Sequence, residues 1–160
     1  LAGLKKVLAM FPFSKQDVWL AAKLLQETRL LETEDAIKKV RESGNNESKS
    51  SMGDKYETGK AMSQNEIFML SQQQENLQQE YRKLLQIKPD KTSQLVEIGS
   101  LVQTEKTYCL IAAAIGTVIL HGHKIAIISE ISPLAKLLIG KTVDQQIKLG
   151  QQETKIVAFI

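Results

Sequence analysis

Gly44-Asn45-Asn46-Glu47-Ser48-Lys49-Ser50-Ser51-Met52-Gly53-Asp54-Lys55-Tyr56-Glu57-Thr58-Gly59-Lys60 is the stretch on which the fold turns. It separates two long polar, helix-like runs and is rich in Gly, Asn and Ser, residues that end helices and favour turns. It therefore predicts a break in the first helix and a chain reversal, with the tip of a hairpin over 44–60. Lys49, Asp54, Lys55, Glu57 and Lys60 crowd charge into it. A connection that only turned the chain would need a handful of residues. This one reads either as a solvated loop or as the working end of an arm.

On the N-terminal side, Ser14 followed by Asp17 offers a helix cap with a carboxylate in the first turn, and Pro12 separates it from what precedes. Lys15 to Ser43 contains neither Gly nor Pro and is dominated by good helix formers. Leu30, Ile37 and Val40 share one face, extended irregularly by Leu20, Leu24 and Leu31, and Trp19 is expected to anchor the base. On the C-terminal side, a second helix is expected from Asp54 or Thr58 to Ile87. There Ile67, Leu70, Gln74, Leu77, Tyr81 and Leu84 keep the three–four spacing of a coiled-coil seam, and Lys88-Pro89-Asp90 ends it. Each helix, of about 30 residues, measures about 45 Å at about 1.5 Å per residue. Residues 14–90 thus predict an antiparallel coiled-coil hairpin with one narrow seam, preceded by an N-terminal extension, 1–13.

From Leu95 the composition changes. Leu101-Val102, Tyr108–Ile115, Thr117–Leu120, Lys124–Ser129, Ile147–Leu149 and Lys155–Ile160 read as short strands punctuated by Gly116 and Gly122. The unalternating Val118-Ile119-Leu120 suggests a strand covered on both faces, and His121-Gly122 a tight hairpin turn. Ser132 and Pro133 open a short helix to Ile139, closed by Gly140 in the left-handed region. The fold class is α+β: a helical hairpin, then a small β-sheet domain over 95–160 with one short helix, its small core helped by docking on the hairpin base.

Twenty-one Lys and Arg against 18 Asp and Glu leave a formal charge of +3, too mild to mark a nucleic-acid binder. One cysteine excludes an internal disulfide and suits a reducing cytoplasm. No run approaches the roughly 18 apolar residues of a membrane helix, so no membrane role is expected. Leu1–Phe13 mixes Lys5 and Lys6 with apolar residues and lacks a small-residue cleavage site, so it does not read as a signal peptide.

Cys109 lies in an apolar strand with no base beside it in sequence and reads as structural. His121 and His123 lack further ligands and read as turn residues. Ser132 has no nucleophile elbow and reads as a cap. Asp54 and Glu57, three apart at a helix start, share a face and suit the positive helix N-terminus. Capping is their default role, but two carboxylates on an arm also suit Mg²⁺, which takes one or two protein carboxylates and keeps its waters. Lys49, Lys55 and Lys60 are positioned to pair with phosphate oxygens.

Two stretches resemble the Gre-type transcript-cleavage factors of bacterial RNA polymerase. Gly53-Asp54-Lys55-Tyr56-Glu57 is similar to the family's Gly-Asp-x-x-Glu hairpin tip. Ser132-Pro133-Leu134-Ala135-Lys136-Leu137-Leu138-Ile139-Gly140-Lys141 is similar to the Ser-Pro signature of its FKBP-like C-terminal domain. After Glu57 the family pattern runs Asn-Ala-Glu-Tyr, where this chain has Thr58-Gly59-Lys60-Ala61, a base for an acid. The resemblance covers roughly residues 15–160 and marks a divergent branch.

The resemblance implies an FKBP-like domain that docks on the polymerase secondary channel through Ser132, Pro133, Leu134, Lys136, Gly140 and Lys141. It implies that Asp54 and Glu57 help hold a Mg²⁺ shared with the polymerase, none being bound by the free protein, near the 3′ end of the nascent RNA. The protein would then be a cytoplasmic, monomeric accessory factor and not itself an enzyme. Alternatives are a channel-binding regulator without cleavage, a peptidyl-prolyl isomerase short of aromatics (only Tyr108 and Phe159 in the C-terminal part), and a coiled-coil module that dimerises.

Overall fold

Ser14 starts the first helix as its chemistry demands. Its Oγ accepts from the Asp17 amide at 3.0 Å, satisfying a donor a helix start leaves open, and its carbonyl accepts the first intrahelical bond from the Val18 amide. The computed structural model describes residues 11–47 and 53–160. Helix α1 spans Lys15–Glu47 and α2 spans Gly53–Leu85. Among the described residues a third helix, α3 (Pro133–Leu138), accompanies six strands: β1 (Leu101–Thr104), β2 (Tyr108–Ile111), β3 (Gly116–Leu120), β4 (His123–Ile128), β5 (Gln146–Leu149) and β6 (Gln152–Phe159). The class is α+β. The chain divides into two units: residues up to Leu25 together with Glu80–Ile160, and Gln26–Gln79.

In the unit Gln26–Gln79, the Gln26 Nε2 donates to the Leu77 carbonyl at 2.8 Å, and Gly44 lies opposite Ser63. The helices there are antiparallel. The α2 seam is the expected one, with Ile67, Leu70, Gln74 and Leu77 all turned inward. On α1 the expected face is wrong in part. Leu24 and Leu31 are each 66% exposed, while Gln26 and Thr33 are buried. Each leucine precedes its buried neighbour by two positions, about 200° around the helix. Gly44 does not break α1, which runs on to Glu47. Built on Gly44, a Cβ would sit 3.7 Å from the Ser63 Cβ, so the glycine occupies a close helix–helix contact. The expected tip of 44–60 shrinks accordingly, to the connection between Glu47 and Gly53.

In the other unit the sheet runs β3-β4-β2-β1-β6-β5, with β2 parallel to β4 and the remaining neighbours antiparallel. One face packs Leu101, Leu110, Ile125 and Ala158 against Val18, Ala22 and Leu84 of the helices. The opposite face packs Val102, Cys109, Ile111 and Ile156 against Ala135 and Leu138 of α3. Ile156 and Ala158 share a parity yet point to opposite faces, because Gln103 pairs with Ala158 and Thr104 with Ile156; the extra residue is a bulge. Trp19 anchors the helix base as expected, its indole N–H donating to the Leu84 carbonyl at 2.9 Å.

Two strand expectations are corrected. β2 stops at Ile111 instead of Ile115, because Ala112–Ile115 carries the chain across the end of β4 to reach β3 on its far side. β3 is an edge strand covered on one face only: Val118 is buried and Ile119 is 64% exposed. The β3–β4 turn at His121 and Gly122, with φ of 49° and 79°, is the two-residue type expected, in which both residues take positive φ. Phe11 and Phe13, read as part of an extension, are core residues. Phe13 stacks edge-on to Tyr108 at 5.1 Å, and His123 lies 5.9 Å from it.

Candidate functional site

Asp54 and Glu57 both fall in the opening turns of α2. Three residues of helix bring them to within about 60° of one another in projection. Tyr56, Gly59 and Ser63 turn inward along this end of α2, leaving Glu57, Lys55 and Lys60 exposed. The helix N-terminus favours the two carboxylates electrostatically. The Asp54 side chain and all of Lys49 lie outside the described residues. Among those described, no three His, Cys, Asp or Glu side chains gather as a metal site.

The Ser132–Lys141 stretch lies in the other unit. Ser132 caps α3, its Oγ accepting from the Ala135 amide at 3.2 Å, with Pro133 in the first turn. Ala135 and Leu138 are buried, Leu134 and Leu137 half-buried, and Lys136 exposed. Gly140, at φ 83°, donates its amide to the Val96 carbonyl at 2.7 Å, and the Lys141 carbonyl accepts from the Val96 amide at 2.8 Å. The motif is thus a helix with a polar cap at one end and a left-handed exit at the other. Pro133, Lys136, Ile139 and Gly140 are what it exposes to solvent.

Cys109 is fully buried, and burial pushes its thiol up to about 12, which removes it as a nucleophile. His121 sits in the β3–β4 turn, and the His123 ring joins the cluster of Phe13 and Tyr108. Tyr108 is thereby engaged in the core. No described helix is long and apolar enough to cross a membrane.

Lys15 was not foreseen. It is only 7% exposed, and its ammonium donates to the carbonyls of Lys91 at 2.8 Å and Ile160 at 3.3 Å. Burial is the main reason its pKa lies below the usual lysine value; Glu97 opposes the shift and Lys91 adds to it. The available signal was phase. Lys15 stands three and seven residues before Val18 and Ala22, on the face that packs inward.

No protein-family model matches this sequence, and no curated protein matches it. Among solved structures, that of the transcription factor Gfh1 is similar over 87% of this chain and 93% of that one, at 17% sequence identity and a TM-score of 0.37.

Proposed function

We propose that this protein is a Gre-like accessory factor of bacterial RNA polymerase, entering the secondary channel with its hairpin and assisting cleavage of backtracked RNA. The observation that supports the reading is the occurrence of two motifs in one chain. Gly53-Asp54-Lys55-Tyr56-Glu57 opens the second helix of an antiparallel pair, and Ser132–Lys141 forms a capped helix on a small sheet. On this reading Asp54 and Glu57 contribute one or two oxygens to a Mg²⁺ otherwise held by the polymerase, which activates water for phosphodiester hydrolysis. Lys49, Lys55 and Lys60 face RNA phosphates, and the surface around Pro133 and Lys136 docks on the channel rim.

The test is RNA cleavage in stalled, backtracked elongation complexes across a Mg²⁺ series. Asp54→Asn combined with Glu57→Gln is expected to abolish stimulated cleavage while polymerase binding survives. Equal cleavage by parent and variant overturns the assignment of the carboxylates. A second reading, a channel-binding regulator without cleavage, draws on Lys60, a base where the family pattern has an acid. It predicts binding without stimulation and no effect of the double substitution.

A further inference from the structure

Beside Lys15 a cleft of about 380 Å³ opens between the end of α2 and the loop 91–100. Lys15, Lys83, Lys88 and Lys91 line it against Glu97 and Glu130; with the Glu80 that pairs with Lys83 counted, the excess is one positive charge. The negative end of the α2 dipole accounts for Arg82 and Lys83 in the last turn. That field fades beyond the turn and does not explain Lys88 and Lys91. Lys83 pairs with Glu80 at 2.9 Å and Lys91 with Glu97 at 2.8 Å. Lys91–Glu97 is a surface pair, which exchanges readily for a better acceptor, whereas Glu80 is also held by the Ala114 amide at 2.6 Å. Lys15 differs: it lines the cleft while only 7% exposed, with its ammonium fixed by two carbonyls.

We propose that this cleft binds a multiply charged, phosphate-bearing anion, gripped by Lys83, Lys88 and Lys91, with Lys15 in the same lining. The volume lies at the small end of ligand sites and admits a short phosphate chain. Ammonium groups suit phosphate as compact point charges free to approach from several sides. An anion here also offsets the cost of the buried Lys15 charge. Glu97 holds Lys91 in the free protein and is the internal competitor for it. The inference is independent of the polymerase reading.

The test is calorimetric titration of the full chain, at low ionic strength, with inorganic tripolyphosphate and with ATP. Both are expected to bind, more weakly as salt rises. Lys88→Ala and Lys91→Ala should each weaken binding about fivefold, and Glu97→Gln should tighten it. Lys148→Ala, on β5 away from the cleft, should change nothing. Trp19 fluorescence checks that each variant is folded. Equal affinity for the two ligands identifies the phosphate chain alone as what is recognised; tighter ATP binding adds the nucleoside, and either result supports the site. No heat with either ligand, or equal losses in Lys148→Ala, overturns it.

Discussion

Phe13→Ala is the sharpest test of how the sheet unit is built. Phe13 is 6% exposed and packs on Tyr108, Phe11 and His123 at ring separations of 5.1, 6.2 and 5.9 Å. An aromatic side chain buries about 150–250 Å², which at about 25 cal/mol per Å² gives about 4–6 kcal/mol as an upper bound. Substitutions of this kind cost about 3–5 kcal/mol, so a loss of about 4 kcal/mol is expected. Trp19, the one tryptophan, packs against the same cluster and reports unfolding by fluorescence in urea. With a slope of about 2 kcal/mol per molar, the midpoint should fall by about 2 M. Phe68→Ala, at a side chain 64% exposed, is the control and should stay within about 0.5 kcal/mol. A Phe13 variant that matches the control would return residues 11–13 to the status of an extension and refute their place in the core.

Gly44→Ala should stabilise the protein by up to about 0.5 kcal/mol, because Gly44 is helical in the last turn of α1 and an added methyl meets Ser63 at ordinary contact distance; a lower urea midpoint would contradict the helical course of α1 there. Gly140→Val should destabilise by about 1–3 kcal/mol, all of it backbone strain at φ 83°, since an added Cβ meets nothing within 4 Å; an unchanged midpoint would exclude the left-handed exit from α3. For Lys15, whose folded pKa lies below 10.5, both states are charged at low pH and the cost of burial is complete. As pH rises from the folded value toward 10.5, the native state sheds its proton first and stability rises. Wild type should therefore gain on Lys15→Met over this alkaline window, and a pH-independent difference would show that the ammonium is solvated.

The α2 seam was legible because its inward positions are nearly all large and apolar, from Ile67 to Leu84, so the three–four spacing stood out. α1 was not, because its inward positions include Ala22, Gln26 and Thr33 while leucines occupy its outer side. Hydropathy there points away from the true seam. Phe11 and Phe13 fell outside any periodic segment, and their burial depends on partners such as Tyr108, about a hundred positions away in the chain. The α3 motif was legible to within a residue at its end (Leu138, not Ile139, is the last helical position), since caps, a first-turn proline and a left-handed glycine are local requirements. The carboxylates at the tip were legible as positions on a helix start. Lys15 was missed because lysine reads as surface, and burying it takes two carbonyls distant in sequence.

The unit that holds the sheet is interrupted in sequence by Gln26–Gln79, and this makes the intervening segment an insertion whose length can vary on its own. Closing a connection twice as long costs only about 0.6 kcal/mol more. The number of turns between Leu25 and Glu80 is therefore nearly free of thermodynamic constraint from the sheet. Whole heptads removed in matched pairs, one from each helix, keep the seam in phase and leave the contacts among Trp19, Leu84 and the strands untouched. The helical pair can be lengthened or shortened by seven-residue steps, while the unit that holds the sheet keeps its own stability.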